Sequence, residues 1–258
     1  MKVFIDAGHN HSGVDTGAVG NGLREQDITY LIASRVQKIL TAKGIQVKMS
    51  RNSLTDNVTV GGTISDSLRV RYTSANSWGA DIFVSIHCNA FTNTTAKGCE
   101  VYSYKTGGNS EMLAKNILNG ILANTDLTSR GGKTANYSVI KNTTMPAVLV
   151  ETAFITNTDD AKVLGSDDGQ KQIAKGIAEG IMEYLGIDYS DTQSQIDNVI
   201  KKSKELTTPN DIVWELNNSH FPISDIGGFV NALTEAQQNN SPLYWGYYKL
   251  VNGIKEIL

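Results

Sequence analysis

Four residues of this 258-residue chain have side chains suited to hydrolytic chemistry: His9, Glu25, His87 and Glu151. Two imidazoles and one carboxylate are a common protein ligand set for catalytic zinc, and they leave one coordination position open for water. Zinc lowers the pKa of that water to about 7, which supplies hydroxide at neutral pH. A second carboxylate, held off the metal, can take the water's proton and pass it to a leaving nitrogen. The four residues are scattered along the chain rather than gathered in an HExxH helix, so their spacing alone is a weak signal.

Scattered residues meet only if the fold gathers them. Short apolar runs at 3–6, 46–49, 82–86, 100–104, 137–140 and 147–150 read as buried strands. Between them, 27–42 places Ile28, Leu31, Ile32, Val36, Ile39 and Leu40 on one helical face, and Gly44 follows as a cap. Residues 110–122 and 170–185 show the same spacing. The alternation predicts an α/β fold with a mostly parallel, twisted sheet flanked by helices. In such sheets ligands gather past the carboxyl ends of the strands. The first run leads to His9, the run at 82–86 to His87 and the run at 147–150 to Glu151, while Glu25 stands just before the 27–42 helix.

The blocks around these residues carry more information than their spacing. The chain opens with Phe4-Ile5-Asp6-Ala7-Gly8-His9, followed by Gly17-Ala18 and Asn21-Gly22-Leu23-Arg24-Glu25. Leu68, Arg71 and Ala75-Asn76 precede Ala80-Asp81-Ile82-Phe83-Val84-Ser85-Ile86-His87-Cys88-Asn89-Ala90. Then come Gly98-Cys99-Glu100-Val101-Tyr102, Arg130-Gly131-Gly132-Lys133 before Tyr137-Ser138-Val139-Ile140, and the block from Met145-Pro146 through Glu151 to Asn157. In this order, from Lys2 to about Leu185, the segment resembles the zinc-dependent N-acetylmuramoyl-L-alanine amidases of the amidase 3 family. The resemblance implies cleavage of the peptidoglycan amide between the lactyl group of N-acetylmuramic acid and L-alanine. It implies one zinc ion held by His9, Glu25 and His87, with Glu151 as general base and then general acid. The chain departs from the family at Asn10-His11, where glycines are usual, and at 57–66, which reads as extra length before Leu68.

Each residue also has a plainer reading. His9 could be a turn residue, His87 a satisfied core histidine and Glu25 a first-turn partner of a helix dipole. Glu151 could form a structural ion pair with Arg130 or Lys133. Glu100 could orient a ligand, bind substrate or do neither. Asn89 could hydrogen-bond substrate or cap the loop after its strand. His11 is expected on a surface loop. Cys88 alternates with His87, so it should point away from the metal, and both Cys88 and Cys99 read as structural thiols. Two hypotheses compete with the amidase: a zinc peptidase cutting within the stem peptide, and a wall-binding protein that does not turn over.

Composition narrows the field further. Lys plus Arg total 23 and Asp plus Glu 26, a net charge of −3, which argues against a nucleic-acid partner. With 40% hydrophobic and 19% charged residues this is a folding composition. No apolar run approaches the roughly 20 residues needed to span a bilayer. Met1-Lys2 leads straight into Val3-Phe4-Ile5-Asp6 with no cleavage site, so the expectation is a protein made in the cytoplasm that acts on the wall after release. A phage endolysin and a host autolysin freed by lysis both fit that expectation, and the small C-terminal unit favours the endolysin.

Net charge shifts from +1 over residues 1–186 to −4 over 187–258, and eight of the 19 aromatics fall in the second segment. The organisation expected is a catalytic domain at 1–186, a linker or helix at 187–206 and a small helical domain at 207–258. Thr208-Pro209-Asn210-Asp211 and Ser241-Pro242 read as helix starts. The helical domain is assigned to wall binding by its association with a hydrolase. Its aromatics could stack on sugars of a wall polymer, form the core of a small bundle or line a dimer seam, so the oligomeric state stays open.

Overall fold

The computed structural model describes residues 1–187. The chain divides into Met1–Asp188 and Tyr189–Leu258. The linker expected at 187–206, beyond Ile187, and the helical domain expected at 207–258 lie outside the described residues.

The elements run β1 (Lys2–Ala7), β2 (Val19–Gly20), β3 (Leu23–Arg24), α1 (Glu25–Ala42), β4 (Gln46–Met49), α2 (Ile64–Trp78) and β5 (Ile82–Asn89). They continue with β6 (Cys99–Ser103), α3 (Gly108–Asn124), β7 (Ser129–Thr134), α4 (Ser138–Lys141), β8 (Ala147–Phe154), α5 (Thr158–Gly165) and α6 (Asp167–Tyr184). Six strands form one sheet in the order β4-β1-β5-β8-β6-β7. Every neighbouring pair is parallel except β6 and β8, which run antiparallel. The mostly parallel α/β sheet expected from the alternation is the fold observed.

The two faces of the sheet follow from strand alternation. Phe4, Phe83, Ala147 and Leu149 pack in one buried cluster with Ala75, Val139 and Ile140, so α2 and α4 cover this face. Phe4 and Phe83 stack with ring centroids 5.7 Å apart. The intervening residues Val3, Ile5, Val84, Ile86, Val148 and Val150 are fully buried and turn to the other face, against α1 and α3. Further along the first face the apolar side chains give way to Asp6, Ser85, His87 and Glu151. The register pairs Asp6 with Ser85 and His87 with Glu151. One face of the sheet is therefore core at its base and polar at its top.

Two expectations are corrected, and the 57–66 segment is placed. Residues 137–140 do not form a strand. Ser138–Lys141 is a single helical turn that buries Val139 and Ile140, and a four-residue apolar run cannot by itself distinguish the two structures. The strand at the sheet edge is instead β7, whose residues are half-buried or exposed. Part of the extra length at 57–66 belongs to α2. Thr63 caps the helix, its hydroxyl accepting from Asp66 N at 3.2 Å while Asp66 Oδ2 accepts from Thr63 N at 3.0 Å. Finally, β5 and β8 extend to Asn89 and Phe154, so His87 and Glu151 lie within strands rather than beyond their ends.

Candidate active site

His9 follows β1 in the left-handed region, at φ 66, a conformation that costs energy for a residue with a side chain. Gly8 N donates to Ile86 O at 3.0 Å and Thr29 Oγ1 donates to Gly8 O at 2.8 Å, which fixes this turn. Gly8 must be glycine, because a Cβ there would stand 2.5 Å from the His87 ring. Glu25 is the first residue of α1 and is buried. His87 comes from β5, one strand from β1.

These three side chains converge. His9 Nε2 and His87 Nδ1 each lie 3.0 Å from Glu25 Oε1, and the two nitrogens are 3.1 Å apart. Four ligands at about 2.0–2.2 Å around tetrahedral zinc stand roughly 3.3–3.6 Å from one another. The triangle is slightly smaller than one face of that tetrahedron, and its two nitrogens and one oxygen are donors zinc accepts. The residues therefore fit the ion. The rest of Glu25 is held by backbone: Cys88 N donates to Oε1 at 3.0 Å and Ala18 N to Oε2 at 2.8 Å. Burial would raise the Glu25 carboxyl, but its bonds to His87 and His9 outweigh that and hold it far below the usual carboxylate range. Burial lowers His9, yet hydrogen bonds to Asp15 and Glu25 prevail and raise it to about 9.

A layer behind the triangle orients it. His9 Nδ1 lies 3.0 Å from Asp15 Oδ1, and Ser67 Oγ donates to Asp15 Oδ2 at 2.7 Å. A carboxylate on the outer nitrogen of a histidine fixes its tautomer and makes it a better ligand. Below, the buried Arg71 Nη1 donates to Asp6 Oδ1 and to Ala7 O, both at 2.7 Å. Ser85 Oγ donates to Asp6 Oδ2 at 2.7 Å. Burial raises Asp6, but the Arg71 charge overrides it and holds its carboxyl low. The reading of the sequence missed Asp15 and Ser67 as site residues. An acid six positions after His9 in the same loop is the only trace they leave.

Glu151 stands directly across from His87 on one side and Glu100 on the other. Its Oε2 is buried with no hydrogen-bond partner among the described residues. Burial, reinforced by the negative charges of Glu25 and Glu100, pushes its carboxyl up to about 8. A half-buried carboxyl with one shielded, unpaired oxygen can move a proton near neutral pH. The alternative ion pair with Arg130 or Lys133 does not form, because both cations go to Glu100. Glu100 Oε2 accepts from Arg130 Nε at 2.7 Å and from Lys133 Nζ, and its Oε1 accepts from Asn89 Nδ2 and Tyr102 OH, each at 2.7 Å. Asn89 thus belongs to the Glu100 cluster.

The remaining candidates lie apart from the triangle. His11 faces Asp27, with Nδ1 3.8 Å from Oδ1. Cys88 and Cys99 are free and buried, and burial drives both thiols upward. The two departures from the family pattern meet each other: Val58 N donates to the buried Asn10 Oδ1 at 2.9 Å, and Ser12 N to Asn57 Oδ1 at 3.1 Å. Asn10 ties the 57–66 segment to the loop that carries His9.

Comparison with known proteins agrees with this geometry. LytC, an N-acetylmuramoyl-L-alanine amidase of Bacillus subtilis, is 40% identical over 184 residues, covering 70% of this chain and 35% of LytC. The endolysin of Bacillus phage SPP1 is 38% identical over 193 residues, covering 72% of this chain and 66% of the endolysin. The chain thus spans about a third of one relative and about two thirds of the other. The solved structure of the amidase AmiC2 of Nostoc punctiforme superposes with a TM-score of 0.63 at 36% identity, covering 72% of this chain and 97% of that one. The family model for N-acetylmuramoyl-L-alanine amidase, Amidase_3, matches residues 3–183. That match takes in every element from β1 to α6, and the chain belongs to this amidase family.

Proposed function

We propose that the chain is a zinc-dependent peptidoglycan hydrolase that cleaves the amide between N-acetylmuramic acid and L-alanine. The observation that carries the reading is the His9–Glu25–His87 triangle beside a half-buried carboxyl, Glu151, whose buried Oε2 has no partner among the described residues. Zinc held by the three residues would supply Lewis acidity to the amide carbonyl, stabilisation of its developing negative charge and a water of lowered pKa. Glu151 takes the proton of the attacking water on its carboxylate. The water oxygen bonds to the carbonyl carbon, the carbon–nitrogen bond breaks, and Glu151 returns the proton to the departing L-alanine nitrogen. Asp15 holds the His9 ring in place through this cycle, and Glu100 organises the neighbouring side chains.

The setting we propose is wall lysis as a phage endolysin rather than a host autolysin, with the protein reaching the wall after release. A phage endolysin among the relatives supports this. Time of synthesis decides it: late in phage growth for an endolysin, in uninfected cells for an autolysin. The 207–258 unit is proposed to bind a wall polymer. A chain ending at residue 186 should then cleave soluble fragments but lose sedimentation with walls, and unchanged sedimentation would remove that assignment.

The catalytic reading is tested by turbidity loss of purified walls. Wild type should clear them, stop with a chelator and recover with zinc. Glu151→Ala should hold metal and leave the walls turbid. A chelated wild type that clears at full rate, or a clearing Glu151→Ala variant, contradicts the reading.

A further inference from the structure

A regular strand would send Arg130 and Lys133 to opposite faces of the sheet, because residues three apart differ in phase. Both instead reach Glu100 Oε2. The cause is a bulge in β7: Cys99 pairs with Ser129 and Val101 with Gly132, so Glu100 stands opposite both Arg130 and Gly131. Gly131, at φ 83, takes the left-handed position that the bulge needs. Bulges beside active sites commonly re-aim a side chain. This one brings two cations to one carboxylate.

The cluster has charge left over. Glu100 is buried and fully occupied, with a donor on each side of both oxygens. It offers one negative charge to two positive ones. Arg130 commits only Nε, and its two Nη groups have no partner among the described residues. The two side chains remain 35% and 37% exposed. Phe154 lies 4.9 Å from the guanidinium carbon and Tyr102 6.0 Å from the ammonium, so aromatic rings steady both heads. A steadied guanidinium fork with free N–H groups beside an ammonium suits a carboxylate.

The place of the pair fits a peptide. His87, Glu151, Glu100 and the cations lie on four successive strands, β5, β8, β6 and β7. At about 4.8 Å per strand the cation strand is roughly 10 Å from the strand of Glu151. An extended peptide advances roughly 3.3–3.6 Å per residue, so the second or third residue past the scissile amide reaches this distance, and the long side chains shorten the gap. In a peptidoglycan stem the second residue is joined through its side-chain carboxyl, and its α-carboxyl is either free or amidated.

We propose that Arg130 and Lys133 form a carboxylate-reading subsite that takes the free α-carboxylate of the second stem residue. The inference rests on the amidase reading above. It makes Arg130 and Lys133 specificity residues and gives Glu100 the role of holding them.

The test compares two soluble muramyl peptides that differ only at that α-carboxyl, free in one and amidated in the other. Wild type should prefer the free acid in kcat/KM by roughly ten- to a hundredfold, carried in KM, as one charge-assisted contact implies. Arg130→Gln and Lys133→Met should each collapse that ratio toward one, and Lys133→Arg should retain most of it. A wild type with no preference, or variants that keep the wild-type ratio, overturns the subsite. A wild type that cleaves neither peptide counts against the amidase reading instead. If Lys133→Met fails to fold, Arg130→Gln and Lys133→Arg still decide the ratio.

Discussion

Replacing Glu151 with glutamine should stabilise the metal-free protein at neutral pH and leave it unchanged in acid. The carboxyl has an ordinary value of 4.5 and is raised to about 8 in the folded chain by burial and by Glu25 and Glu100. Between those values the folded state keeps a proton that the unfolded state releases. Stability therefore falls as pH rises through this window, by about 1.4 kcal/mol per pH unit. At pH 7 the penalty is about 3 kcal/mol. Glutamine has the same shape and cannot ionise, so it removes the penalty. For a protein of this size each kcal/mol moves Tm by roughly 2–4 °C, so Glu151→Gln should melt about 6–12 °C higher at pH 7. Thermal unfolding of chelator-treated wild type and variant between pH 4 and pH 8 measures this. The two should coincide near pH 4 and diverge above pH 5. Equal Tm values at pH 7, or a constant offset across the range, would show that Glu151 is not the poised, unpaired carboxyl described above.

Three further outcomes follow from the layers around the site. Metal binding at pH 7 should release about two protons, because His9, raised to about 9, must lose its proton to become a ligand and Glu151, raised to about 8, must become a carboxylate to act as base beside the loaded site. Calorimetry in buffers of different ionisation enthalpy reads this, and buffer-independent heats would refute it. Gly8→Ala should weaken zinc binding by roughly 10–100-fold in equilibrium dialysis, since a Cβ there collides with the His87 ring, and unchanged affinity would contradict that packing. Arg71→Met should cost about 3–5 kcal/mol near pH 7 by stranding the buried Asp6 carboxylate. In wild type Asp6 is held below 3.8, so its contribution is present above that value and is lost as pH falls. Without Arg71 the raising effect of burial on Asp6 is no longer offset, so the variant protonates that carboxyl as pH falls and the denaturant-measured gap from wild type should shrink toward pH 4; a gap that does not depend on pH would refute the assignment.

Legibility in the sequence tracked local pattern. The helix α1 has a full apolar stripe and was readable to within two residues of its start. The strands that lead to His9 and carry His87 and Glu151 begin as short apolar runs, which is why the polar residues after them stood out. By contrast, β7 reads Ser-Arg-Gly-Gly-Lys-Thr and sits at a sheet edge with one neighbour, so it needs no apolar alternation. Within 138–141 only Val139 and Ile140 are apolar, because they cap a core cluster, and four residues carry no period. The role of Glu100 was left open because its partners arrive from β5 and from the bulge in β7, neither of which spacing reveals. Asp15 sits in an irregular loop, where position in sequence says little about direction in space.

If Glu151 moves the proton in breaking the lactyl–L-alanine amide, its loss must abolish that cut while zinc stays bound. The most direct measurement is mass spectrometry and end-group labelling of one defined muramyl peptide after incubation with wild type and with Glu151→Ala, each loaded with one zinc. Wild type should give a new L-alanine amine and a lactyl carboxylate, and the variant neither. A cut inside the peptide or between sugars, or equal products from both proteins, would contradict it.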